Sequence, residues 1–99
     1  MADSGYTVVE VGIPISNMEI WEIFQVCDEI ETVLNRLRNY AGCNNETRYM
    51  KFNYTVEGEA TSAKNEIVKI FRSHGVLIDN STSYIVIVGR NGNRTSFNV

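Results

Sequence analysis

A chain of 99 residues with 43% apolar and 21% charged residues has the size and composition of one globular domain, and we predict a single domain over residues 1–99. Its longest apolar runs, at 76–78 and 85–88, are far shorter than the ~20 residues of a membrane-spanning helix, so no membrane partner is expected. The formal net charge of −3 disfavours a dedicated nucleic-acid-binding domain, since such domains are usually basic.

The first predicted elements are a strand over 6–15, where apolar residues alternate, and a long helix over 17–41. Ser16 begins this helix, because its spacing to Glu19 is that of a capping box. Apolar residues then recur at steps of three and four, and they cover roughly 160° of the helix surface at ~100° per residue, which suits a helix packed on a sheet. Gly42 is the predicted C-terminal stop.

The rest of the chain predicts one more helix and several strands: a strand over 48–56, a helix over 63–74, a short strand over 76–78 that a turn or bulge at 79–82 separates from a strand over 83–90, and a last strand over 93–99. Ser62 is the expected N-cap of the second helix, and Gly75 its C-terminal stop. The Asn91-Gly92 pair predicts a hairpin with a type I′ turn, which needs two residues that tolerate positive φ.

The predicted fold class is therefore α+β, with the order β-α-β-α-β-β. We expect a mixed four-stranded sheet with two helices packed on one of its faces. A βαββαβ arrangement would need another strand between the helices, and residues 47–60 leave no room for it.

Patterns typical of catalysis or metal binding are weak in this sequence. One histidine and two cysteines without close spacing form no zinc signature, and no nucleotide-binding or hydrolase motif occurs. A small cysteine-dependent enzyme that uses Cys43 and His74 is therefore the least favoured hypothesis. We expect a protein that is not an enzyme and has neither cofactor nor metal.

Nucleic-acid binding is the alternative function. It depends on basic and aromatic residues in the second half of the chain, namely Arg48, Tyr49, Lys51, Arg90 and Arg94. These side chains would provide phosphate contacts and a ring for base stacking. The basic groups are few against a net charge of −3, so this alternative ranks second.

Trp21 is the residue that favours a third function, the binding of another protein, and this function ranks first. On the helical wheel it lies outside the main apolar stripe, and with Phe24 it widens the apolar surface only at the start of the first helix. Coverage by a chain terminus or by the second helix would explain it structurally. The functional explanation is an interaction patch with Glu22, Gln25 and Asp28 at its rim, because tryptophan is over-represented among interface anchors. These five residues are the predicted protein-binding site.

The leading hypothesis is a small non-enzymatic protein-binding module, such as an inhibitor, an immunity protein or a host-modulating protein encoded by a virus. The expected partner is another protein. A homodimer formed through the first helix or through the edge of the terminal hairpin is also an open option. The first fifteen residues contain neither lysine nor arginine and predict no signal peptide, so we expect a cytoplasmic protein.

Overall fold

In the described part of this computed structural model, five antiparallel strands form one sheet and two helices cover one of its faces. The structure describes residues 5–97, so residues 1–4 and 98–99 of the predicted domain lie outside the described part. The elements in chain order are β1 (Thr7–Pro14), a 3-10 turn (Ile15–Asn17), α1 (Ile20–Leu34), β2 (Tyr40–Cys43), β3 (Thr47–Tyr54), α2 (Glu57–Ser73), β4 (Tyr84–Val88) and β5 (Arg94–Ser96).

The strands lie side by side in the order β2-β3-β1-β4-β5, and every neighbouring pair is antiparallel. The predicted α+β class is confirmed. The sheet has five strands where four were predicted, and it is antiparallel where a mixed sheet was predicted. Without β5 the order is a split β-α-β-β-α-β arrangement. This arrangement was not expected, because residues 47–60 were predicted to leave no room for another strand between the helices.

The strand that was not predicted, β2, begins with residues that were predicted as the end of the first helix. α1 ends at Leu34, because Asn35 adopts the left-handed conformation (φ 50°, ψ 45°). The Arg36 guanidinium then donates a 2.7 Å hydrogen bond to the Asn53 carbonyl oxygen, and this fixes the following chain beside β3. Gly42, the predicted helix stop, lies within β2, so that prediction is wrong.

The helix starts also differ from the predictions. Glu19 is the N-cap of α1, and no side chain caps it. The predicted capping box at Ser16 is therefore wrong, since Ser16 lies in the 3-10 turn. α2 begins at Glu57 rather than after Ser62. The acidic Glu57 and Glu59 occupy its first turn, where the helix dipole favours negative charge.

The end of α2 agrees with the sequence. Gly75 has φ +69°, its N–H group donates to the Arg72 carbonyl at 3.1 Å, and the Val76 N–H group donates to the Phe71 carbonyl at 2.9 Å. This pair of hydrogen bonds is a Schellman motif, which satisfies carbonyls that the helix leaves without a partner. The glycine is required because other residues rarely adopt this φ.

Residues 76–78 form no strand, contrary to the prediction. Side chains hold this segment as a loop instead. The Ser83 hydroxyl donates to the Leu77 carbonyl at 2.6 Å, and the Asp79 carboxylate accepts main-chain N–H groups of Ser81, Thr82 and Ser83 at 2.7–3.0 Å. Hydrogen bonds from Ser83, Thr82 and Ser81 lower the pKa of Asp79, because they stabilise its charged form.

The terminal hairpin is present, but its turn is of another type. Gly92 has φ +88° while Asn91 does not have a positive φ, so the predicted type I′ turn is wrong. The Gly92 N–H group donates to the Gly89 carbonyl at 2.9 Å, as in a type I turn followed by a left-handed glycine. The predicted strand over 93–99 is shortened to Arg94–Ser96, and residues 98 and 99 lie outside the described part.

The core lies between the sheet and the two helices. Alternate residues of the strands point towards the helices, as the period of two predicts. The fully buried side chains with the largest volumes include Ile13, Ile30, Met50, Phe52, Ile67, Phe71 and Ile85. Both helices therefore present one side to a common core and leave the other side for solvent or a partner.

Candidate functional site

The outer side of α1 exposes large apolar side chains. Trp21 is 65% exposed and Phe24 is 52% exposed, so α2 does not cover the tryptophan. Scattered single apolar residues are normal on a protein surface, whereas adjacent ones mark interaction sites. Trp21 and Phe24 share one shallow groove of about 510 Å³. We call it the α1 groove; it is lined by Trp21, Phe24, Gln25, Asp28, Glu29, Thr32 and Val33.

The groove contains four of the five residues of the predicted patch and lacks Glu22, whose carboxylate turns towards α2. Glu29, Thr32 and Val33 line the groove but were not predicted as part of the patch. Each of them lies four residues after another residue of the groove: Glu29 after Gln25, Thr32 after Asp28, and Val33 after Glu29. This spacing places them on the same side of the helix, so the sequence did contain the signal that extends the patch along α1.

The charged side chains of α1 are all acidic. Between Ile20 and Leu34 the helix has four acidic residues and no basic one. Glu31 pairs with Arg38 at 2.9 Å, and Glu22 and Glu29 both pair with His74. Asp28 forms no ion pair with any residue in the range 5–97. The middle of the groove therefore has one carboxylate, that of Asp28, without an ion-pair partner in the described chain.

His74 joins the end of α2 to α1. Its Nδ1 lies 3.1 Å from the Glu22 carboxylate, and its Nε2 lies 3.1 Å from both oxygens of Glu29. Burial alone would lower the pKa of His74, but the hydrogen bonds and charges of Glu22 and Glu29 raise it above the usual value for histidine. Both ring nitrogens can donate only in the protonated form, so the geometry favours a charged imidazolium between two carboxylates.

The residues of the hypothetical cysteine-dependent enzyme do not meet. Cys43 is exposed on β2, whereas both nitrogens of His74 contact glutamates of α1. The second cysteine, Cys27, is buried, and burial raises the pKa of its thiol. No group of three or more His, Cys, Asp or Glu residues among residues 5–97 is arranged to hold a metal ion.

The five residues of the nucleic-acid alternative are divided among three places. Tyr49, Lys51 and Arg94 lie on the open face of the sheet, opposite the helices. Arg48 belongs to the helix-facing side, where its guanidinium lies 5.5 Å from the centre of the Phe24 ring. Arg90 belongs to the hairpin turn, and its guanidinium donates to the Thr55 carbonyl.

The open face combines tyrosines with a small charged cluster. The rings of Tyr40 and Tyr49 stack with their centres 5.8 Å apart. A Cβ atom at Gly42 would lie 2.6 Å from the Tyr49 ring, so this ring covers the glycine on the neighbouring strand. Glu10 pairs with Arg94 at 2.8 Å and with Lys51 at 3.8 Å, and it thereby compensates part of their positive charge.

No family model, curated protein or solved structure matches this chain. No helix among residues 5–97 is long and apolar enough to cross a membrane. The function is therefore inferred from the residues of the chain itself.

Proposed function

We propose that this protein is a non-enzymatic protein-binding module and that its partner contacts the α1 groove. The observation that carries the proposal is the exposure of Trp21 and Phe24, at 65% and 52%, side by side on one helix. Aromatic anchors supply much of the binding free energy in protein interfaces. A partner that covers these two rings would remove apolar surface that folding leaves in water.

The way in which α1 is held also supports a binding role. Its inner side contributes Ile23, Val26 and Ile30 to the core, and His74 links it to the end of α2. The two exposed rings are therefore carried by an element that is already ordered. A preorganised surface loses less conformational entropy on binding than a flexible loop does.

An inhibitor, an immunity protein or a host-modulating protein of viral origin belongs to this proposal, since each acts by binding another protein and needs no catalytic group. A cytoplasmic location is also part of it. Both cysteines are free, which agrees with a reducing compartment.

Site-specific photo-crosslinking in a lysate of the cells that naturally contain the protein tests the proposal. A photoreactive amino acid would replace Gln25, which is exposed in the groove, or Asn65, which is exposed on α2. We expect a discrete protein adduct from position 25 that survives nuclease treatment, is absent at position 65, and is lost with Trp21→Ala. Equal adducts from both positions, or none from position 25, would contradict the proposal.

Single-stranded nucleic-acid binding is a second candidate, favoured by the stacked Tyr40 and Tyr49 rings with the Lys51 ammonium 5.5 Å from the Tyr40 ring. Binding of a labelled oligonucleotide would then weaken steeply with salt. Tyr49→Ala should lower the affinity about tenfold, because base stacking contributes about 1–3 kcal/mol. Salt-independent binding, or an unchanged affinity of this variant, would exclude the candidate.

A further inference from the structure

We propose that the α1 groove accommodates a short amphipathic α-helix whose apolar side is flanked by lysine or arginine. This inference rests on the protein-binding function proposed above and specifies the partner. Three properties of the groove support it: its length, the absence of free main-chain groups along it, and its charge.

The length of the groove fits about three helical turns. The lining residues recur every three or four positions from Trp21 to Val33, a distance of about 18 Å at ~1.5 Å per residue. Apolar side chains stand at both ends, with Trp21 and Phe24 at one and Val33 at the other. A partner helix with apolar residues at matching intervals would contact both ends at once.

The main chain of α1 also favours a helical partner. The groove is lined by side chains of one α-helix, and the main-chain groups in the middle of a helix are bonded within it. An extended peptide on this surface would have no main-chain partners and would keep its own N–H and C=O groups unpaired where water is excluded. A helix brings its main-chain hydrogen bonds with it.

The charge of the groove determines the flanking residues of the partner. Asp28 and Glu29 are the acidic residues that line the groove. Glu29 pairs with His74, whereas Asp28 has no ion-pair partner in the described chain. A lysine or arginine beside Asp28 would complement this charge and orient the partner. A second copy of α1 would bring its own acidic residues to the same place, so the charge disfavours a homodimer through this face.

Synthetic peptides test the inference directly. The probes are a 14-residue amphipathic leucine–lysine peptide, the same pattern with glutamate in place of lysine, and a scrambled leucine–lysine peptide without an apolar side. Trp21 is the single tryptophan of the chain, so its fluorescence reports on the groove. We expect saturable binding of the first peptide with a blue shift of Trp21 emission, and at least tenfold weaker binding of the other two.

Two charge reversals distinguish specific binding at the groove from a general electrostatic attraction between the peptide and the protein. Asp28→Lys should weaken binding of the leucine–lysine peptide at least tenfold and strengthen binding of the glutamate peptide. Glu66→Lys, which makes the same change in net charge on α2, should alter neither affinity by more than twofold. Circular dichroism would check that both variants keep the fold.

Equal weakening by both reversals, or preferred binding of the glutamate or scrambled peptide, would overturn the inference. A dimer in sedimentation experiments that dissociates on Trp21→Ala would also overturn it, in favour of a second copy as the occupant. A protein adduct at position 25 without binding of the leucine–lysine peptide would refute only the helical basic partner. Loss of the adduct as well would refute the proposed function.

Discussion

The two helices pack against the same sheet and differ on the side that faces away from it. α2 has three acidic and three basic residues and exposes no large apolar side chain. α1 has four acidic residues, no basic one, and four exposed large apolar side chains: Ile20, Trp21, Phe24 and Val33. Packing on the sheet therefore does not require the outer surface of α1. The difference identifies the surface that is available for another function.

The largest expected effect is on stability, and it distinguishes a substitution on α2 from the same substitution on α1. Phe71 is fully buried on α2, whereas Phe24 is 52% exposed on α1. Phe71→Ala should lower the free energy of unfolding by about 3–5 kcal/mol, because it leaves a cavity in the core. Phe24→Ala should lower it by about 1 kcal/mol or less. Chemical denaturation measures both values, and equal losses would mean that the outer side of α1 contributes to the fold.

Loss of binding is the next effect in size. Trp21→Ala should lower the affinity for the partner captured at position 25 by about thirtyfold or more, since anchor residues contribute about 2 kcal/mol or more to the binding free energy. Tyr40→Ala is the matched control, because it removes a 48% exposed ring from the opposite face of the sheet. Titration calorimetry would compare the two variants. Similar losses of affinity in both variants would mean that α1 is not the specific binding surface.

The contact between the helices should make stability depend on pH. The pKa of His74 is raised in the folded state. Its contribution to the free energy of unfolding is therefore fully present below the pKa that a histidine has in the unfolded chain, about 6.5. This contribution is lost as the pH rises through the folded pKa. We expect His74→Gln to lower the free energy of unfolding by up to about 2 kcal/mol at pH 5, and by much less at high pH.

Thermal or urea unfolding from pH 5 to 9 measures this dependence. Glu22→Gln and Glu29→Gln should each reduce it, because each removes one negative charge beside the imidazolium. The same slope in wild type and His74→Gln would show that His74 does not link the helices in this way.

The smallest effect concerns the outer side of α2. Lys69 lies 3.2 Å from Glu66 in a solvent-exposed pair three residues apart. Lys69→Ala should change the free energy of unfolding by no more than about 0.5 kcal/mol, and it should leave binding at the α1 groove unchanged. A larger effect on binding, measured with the same partner, would extend the interface beyond α1.

Local patterns predicted several parts of the fold and of the site. Alternation located β1 and β3, the glycine at 75 predicted the end of α2, and Trp21 was expected outside the buried stripe of α1. Each of these depends on neighbouring residues in the chain. For this reason the position of Trp21 on the helical wheel was informative before any tertiary contact was known.

The errors arose where distant contacts decide the structure. Leu37 and Ala41 continue the helical spacing of α1, yet Leu37 is 85% exposed in a loop and Ala41 pairs with Met50 in the sheet. β2 has only four residues and no clear alternation, so its pairing with β3 defines it. Likewise, nothing near Glu22 in the sequence indicates His74, which is the C-cap of α2 and lies 52 residues further along the chain.

The strand order has a consequence for biosynthesis. β1 is the middle strand of the sheet and pairs only with β3 and β4, which begin at Thr47 and Tyr84. During synthesis its apolar residues leave the ribosome long before either neighbour does. Most of the chain must therefore emerge before the sheet can close. Because such separated pairings must first close long loops, we expect this domain to fold more slowly than a helical bundle of the same size.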